Sequence, residues 1–168
     1  MKKQLRTTLL LTALIFTKMI SAQSTINALV LSVKGDVGNP LQLTLRALEG
    51  FTQTSAVIKD REGNNHTYAG VAIKDILDSA KATTGKQLRG ENLKKYLLVK
   101  CADGYQVLFS LAELDPDFGN RKVILAHKVD GQPLPEGKGP FRLIVPDDKA
   151  LARNSFEVTE FIIGFARD

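Results

Sequence analysis

One hundred and sixty-eight residues accommodate one domain with a short appendage and not two full domains. Hydrophobic content of 43% with 24% charged residues excludes a disordered or collagen-like chain, and a single cysteine excludes a disulfide framework and zinc clusters built on several thiolates. The net charge of +5 carries less than it first suggests, because the first 22 residues hold Lys2, Lys3, Arg6 and Lys18 and no acidic residue. Setting those four aside leaves 19 of the 23 basic residues against 18 acidic ones, so no nucleic-acid partner is expected.

The leader reads as a secretory signal. Met1-Lys-Lys-Gln-Leu-Arg6 is its positive segment, Leu9 to Phe16 is mostly apolar, and Ile20-Ser21-Ala22 offers a small residue for cleavage before Gln23. The apolar run is well short of the ~20 residues a bilayer crossing needs, and Lys18 interrupts it. The expected organisation is a signal peptide over 1–22 and a single domain over 23–168, periplasmic or secreted, with no stable membrane insertion after signal removal.

In the remaining chain, residues 26–34 read as a strand stopped by the turn formers Gly35 to Pro40. Leu41, Leu43 and Leu45 alternate with polar residues as in a half-buried strand, and a short helical turn is expected around Arg46–Gly50. Thr54–Asp60 and His66–Tyr68 form a hairpin around Glu62-Gly63-Asn64-Asn65. The clearest helix spans Val71 to Ala82: Ile73, Ile76, Leu77 and Ala80 share one face, and Gly85 is the expected terminator. Lys95–Cys101 and Tyr105–Phe109 flank Ala102-Asp103-Gly104, a strong hairpin signal because the tight turn needs positive φ. Val123–Val129, Phe141–Val145 and Val158–Phe165 are three further strands. Strands outnumber helices, which argues for an α+β fold with a β-rich core. The Gly-rich phosphate turn of a Rossmann sheet is missing.

Few residues point to chemistry by their spacing. Alternation puts Leu97, Val99 and Cys101 on one strand face, where a thiol in apolar company is protonated and inert; a reactive or metal-binding thiol is the competing reading. His66 and His127 lack metal-ligand spacing, and neither Ser110 nor Ser155 sits in a nucleophile elbow. The acidic group Asp103, Glu113, Asp115 and Asp117 reads as turn and cap residues, with Ser110 and Glu113 forming a capping box. Gly137-Lys138-Gly139-Pro140 is a basic loop able to approach a phosphate, though alone a weak signal. No catalytic residue and no metal ligand is assigned.

Several segments together resemble a known family. Gly70-Val-Ala-Ile-Lys-Asp-Ile-Leu77 resembles the Gly-Val-x-Leu-x-x-Leu-Leu helix start of the sulfite-oxidase-type molybdopterin-binding domain family. Tyr96 to Tyr105, followed by Phe109-Ser-Leu-Ala-Glu-Leu114, is similar to that family's Asp-Gly-Tyr hairpin. Asp130-Gly-Gln-Pro-Leu-Pro135 and Gly139-Pro-Phe-Arg-Leu-Ile-Val-Pro146 are similar to its Gly-x-Pro-Leu-Pro and Gly-Pro-x-Arg-Leu-Val-Val-Pro runs. The ordered likeness runs from about Leu31 to Ile163.

The resemblance implies a β-rich mixed-sheet α+β domain of the sulfite-oxidase-like molybdopterin-binding type. In catalytic members that domain holds molybdenum on a pterin dithiolene, with a cysteine thiolate as the protein ligand and oxygen-atom transfer as the chemistry. The ligand cysteine of those members precedes the Gly-Val helix start, whereas here Ala56 to Tyr68 contains none and Cys101 stands at the hairpin. Near the end, Arg153 is kept but Glu157 lies close by, a carboxylate that would repel a phosphate. These departures imply an exported small-domain relative acting as a non-catalytic binding or accessory module, with no cofactor expected. The alternative is a molybdopterin-dependent oxidoreductase performing oxygen-atom or electron transfer. Asp103, Tyr105, Arg142 and Arg153 are the candidate cofactor-binding residues, and the expected partner is a small ligand or an envelope protein.

Overall fold

A computed structural model describes residues 30–166; the segment expected to be a secretory signal and the first part of the strand expected over 26–34 fall outside them. Among the described residues ten strands form two five-stranded sheets. The first runs β2 (Leu41–Leu43), β1 (Leu31–Gly35), β10 (Val158–Phe165), β5 (Lys95–Cys101), β6 (Gln106–Ser110). Only β1 and β10 run parallel; the other neighbours are antiparallel. The second runs β3 (Gln53–Lys59), β4 (Asn65–Ala72), β7 (Ile124–Val129), β8 (Gln132–Pro133), with β9 (Arg142–Ile144) also on β7.

Strand alternation builds the core. Leu97, Val99 and Cys101 of β5 face inward, as do Val107 and Phe109 of β6 and Val158, Phe161 and Ile163 of β10. They pack with Val71, Leu125 and Leu143, which point inward from the second sheet. The opposite face of that sheet carries a smaller apolar cluster of Ala56, Ile58, Tyr68, Ile124, Ala126 and Ile144. The second sheet is therefore buried on both faces, and the functional cleft opens beside its smaller cluster.

The helix expected over Val71–Ala82 is shorter, because Val71 and Ala72 belong to β4 and pair with β7. It is α2 (Ile73–Ser79), with Ile73, Ile76 and Leu77 buried as the periodicity predicts. The helix ends at Lys81, whose φ is 53°, not at Gly85. The Ala82 N–H donates to the Leu77 carbonyl and the Lys81 N–H to the Asp78 carbonyl, so paired end-bonds stop the helix where a lysine accepts the left-handed position. Leu45 leaves the predicted alternation to open α1 (Leu45–Glu49), whose first turn is capped by the Thr44 hydroxyl accepting the Ala47 N–H.

Gly70 explains the Gly-Val start of α2. A Cβ at that position would stand 2.0 Å from the Leu125 carbonyl oxygen, and the β4–β7 register shifts between Ala69 and Gly70. Only glycine lets the two backbones approach this closely.

Candidate functional site

A cleft of about 1210 Å³ lies between the β3–β4 hairpin and the stretch 146–156. The end of β3 supplies Ile58 and Lys59, the turn supplies Asp60 and Arg61, and Arg142, Asn154 and Phe156 face them. An adjoining recess of about 400 Å³ is lined by His66, Tyr68, Leu134 and Arg142 among others.

Arg142 enters because β9 pairs with β7, Arg142 opposite Ala126, so that residues 142 and 144 share the face of the smaller cluster. Its guanidinium carbon lies 4.7 Å from the Tyr68 ring centroid and 4.2 Å from that of Phe156. Nη1 donates to the Tyr68 hydroxyl, while Nε is buried without a partner. Burial pushes the pKa of Arg142 below the ordinary guanidinium value, and Tyr68 opposes that. Asn154 accepts the Val145 N–H at 2.8 Å through Oδ1, and its Nδ2 is also buried without a partner.

His66 sits at the mouth of the recess between two carboxylates. Nδ1 is 2.7 Å from Asp130 Oδ2 and Nε2 is 3.1 Å from Asp60 Oδ2. Both ring nitrogens donate only in the imidazolium, and the contacts with Asp130 and then Asp60 raise its pKa above the ordinary 6.5. The Asp130 carboxyl is held below its ordinary range by His66 and the Thr67 N–H. At Asp60, burial acts upward, but the Asn64 hydrogen bonds and His66 outweigh it and hold the carboxyl low. This clasp joins the β3–β4 turn to the β7–β8 turn.

Of the four residues expected to bind a cofactor, Arg142 alone lines the cleft. Asp103 Oδ1 accepts the Tyr105 N–H at 2.8 Å, shaping the β5–β6 turn around Gly104, whose φ is 86°. The Tyr105 hydroxyl donates to the Ala152 carbonyl at 2.9 Å. Arg153 gives its Nε and Nη2 to Asp148 and its Nη1 to Glu113, with its guanidinium over Phe109. Tyr105 and Arg153 thus hold the 148–153 stretch, the wall of the cleft, from behind.

Of the acidic group, Asp103 and Asp115 act as turn residues. Ser110 Oγ accepts the Glu113 N–H, but the return bond of a capping box is replaced because the Glu113 carboxylate pairs with Arg153. Asp115 accepts the N–H groups of Gly85 and Asp117.

Cys101 stands on the inward face of β5, 6% exposed, where burial pushes the thiol pKa up, and it does not line the cleft. His127 is buried and held toward neutrality by desolvation. Among the described residues no group of three His, Cys, Asp or Glu side chains is arranged to hold a metal ion. Sequence reasoning missed Tyr68, His66, Asn154 and Phe156. The one available signal was the basic loop at Gly137, whose Lys138 lines the cleft with its Nζ 5.8 Å from the Phe156 centroid.

The model of the oxidoreductase molybdopterin binding domain family matches residues 19–153. The crystal structure of the sulfane dehydrogenase SoxCD from Paracoccus pantotrophus is similar in fold, with a TM-score of 0.61 and 23% identity. The match covers 80% of this chain but only 37% of that one. No curated protein matches the chain.

Proposed function

The chain belongs to the oxidoreductase molybdopterin-binding domain family, and from that premise we propose that it is an exported binding or accessory module of the family, taking a small ligand in the cleft without a thiolate-held molybdenum. The observation that carries this reading is the position of Cys101. It is the sole cysteine of the chain, and it packs in the core on β5. The strand and turn that precede Gly70, where the family resemblance puts the ligand cysteine, contribute Ile58, Lys59, Asp60 and Arg61 to the cleft and no thiol. A thiolate ligand must be deprotonated and reach its metal; burial opposes both for Cys101. The residues therefore do not fit a molybdenum centre held by the protein through sulfur.

Molybdenum content by mass spectrometry tests this, after expression of the parent and Cys101→Ser in a host that makes the cofactor. Neither is expected to carry metal. Near-stoichiometric metal in the parent, lost in Cys101→Ser, overturns the reading and makes Cys101 the ligand. Equal metal in both supports a pterin-held cofactor and the oxidoreductase alternative. Export rests on the order of the leader segments. N-terminal sequencing of exported material is expected to begin at or near Gln23, and a sequence beginning at Met1 overturns cleavage.

A further inference from the structure

β6 closes one end of the first sheet, with β5 on one side and no strand on the other among the described residues. The Cys101 N–H donates to the Tyr105 carbonyl and the Leu111 N–H to the Lys95 carbonyl, so Val107 and Phe109 bond β5 in the same alternation. Gln106, Leu108 and Ser110 therefore turn their backbone N–H and C=O groups off the free edge. Proteins protect such edges with short strands, proline, bulges or charge. β2 and β8 follow that rule, with three and two residues and Pro133 in β8. β6 does not: Gln106-Val-Leu-Phe-Ser110 carries no charge and no proline, and its register with β5 has no bulge. β3 is also long, but it ends on Lys59, bounds the cleft and sets its exposed Val57 opposite Thr67. Beside β6 the outward face is apolar instead. Ile162 of β10 stands opposite Leu98 of β5, and Leu98 opposite Leu108, which is 54% exposed. An apolar stripe thus crosses three strands and stops at an open edge.

We propose that the free edge of β6 pairs antiparallel with β6 of a second copy of this chain, about a two-fold axis at Leu108. In that register Leu108 meets Leu108 of the second copy, and Gln106 meets Ser110. Every residue with outward backbone groups then faces another such residue, so each pair exchanges both N–H···O bonds. A foreign strand would satisfy the same backbone groups. The palindromic order of outward side chains, polar Gln106, apolar Leu108 and polar Ser110, singles out a second copy, because an isologous contact requires that symmetry. The two stripes join through the paired leucines, which removes apolar surface from water. No like charges meet along the strands, because β6 has none, and Lys34 and Lys100 on the same face are matched by Glu160. A hollow of about 640 Å³ at the end of β6, lined by Ser110 and the exposed Phe118, leaves room for the β5–β6 turn of the second copy. Glu113 in that hollow is paired with Arg153, which offsets its repulsion of the Asp103 carried by the turn.

Sedimentation velocity of the full chain over a wide concentration range tests the proposal. Reversible, concentration-dependent dimers are expected. Leu108→Lys and Leu108→Glu alter a side chain that already faces solvent, and each alone is expected to raise the dimer dissociation constant at least tenfold. Mixed, the two variants are expected to recover a dimer, since a contact of residue 108 with itself sets the lysine against the glutamate. A readout without substitution covers the case in which a variant does not fold. Amide exchange of the parent should slow at Gln106, Leu108 and Ser110 as dimer forms, while Val107 and Phe109, bonded to β5 throughout, stay unchanged. A parent that remains monomeric, as it would if the edge served a foreign strand, overturns the proposal. So do undiminished dimers of both folded variants, a mixture that stays monomeric, or edge amides whose exchange ignores concentration.

Discussion

Arg153 grips Asp148 through two parallel hydrogen bonds, Nε to Oδ2 and Nη2 to Oδ1, each 2.7 Å long. Fork-to-carboxylate geometry is stronger than a single-contact ion pair, and here Arg121 adds a third bond to Asp148. The pair spans the ends of the stretch that forms the cleft wall, with Asp148 lining the cleft and Arg153 behind it, so it fixes the shape of the site.

The first prediction follows from that grip. The two side chains are 28% and 14% exposed, so solvent screening reduces but does not remove their coupling. Arg153→Gln is expected to cost roughly 1–3 kcal/mol in denaturant titration. The double mutant with Asp148→Asn should cost less than the two single changes together. Additive costs would show that the bidentate pair contributes nothing of its own.

A pH prediction comes from His66. Its folded pKa is raised, so its contribution to stability is fully present below the ordinary 6.5 and is lost as pH rises through the elevated folded value. The depressed Asp60 and Asp130 behave oppositely: their contribution is present above the ordinary 3.8 and is lost as pH falls through their lowered values. The clasp is therefore strongest between those two ordinary values. Denaturant midpoints of the parent and His66→Gln, measured from pH 4 to 9, should differ most on the acid side of 6.5 and converge toward the alkaline end. A difference independent of pH would remove the charged clasp.

The core offers the third. Leu77 is 1% exposed on the inward face of α2. Leu77→Ala is expected to cost about 2–5 kcal/mol, the transfer loss plus the cavity left behind. A midpoint close to the parent value would mean that the helix face carries little of the core.

Local rules explain how much of the fold could be read without coordinates. Period-two alternation placed Leu97, Val99 and Cys101 on a single inward face, and the 3.6-residue period placed Ile73, Ile76 and Leu77 against the core. The Asp103-Gly104 turn is equally local, since the positive φ that it needs is a property of the glycine itself. Propensity misjudged the ends of α2, because pairing with β7 drew Val71 and Ala72 into β4. The site depends on longer distances. His66 meets Asp130 across 64 residues only because β4 and β7 are neighbours, and Glu113 reaches Arg153 across 40. Arg142 was legible as a residue of a recognisable run, but its two flanking rings, its bare Nε and the companion donor of Asn154 were not. Composition and periodicity are sums over neighbours along the chain, so the sequence by itself determined the strands, the helix face and the seat of Cys101. Which side chains share a cleft, and which donors stay unmatched there, are set by packing between distant segments, and only the tertiary structure decided them.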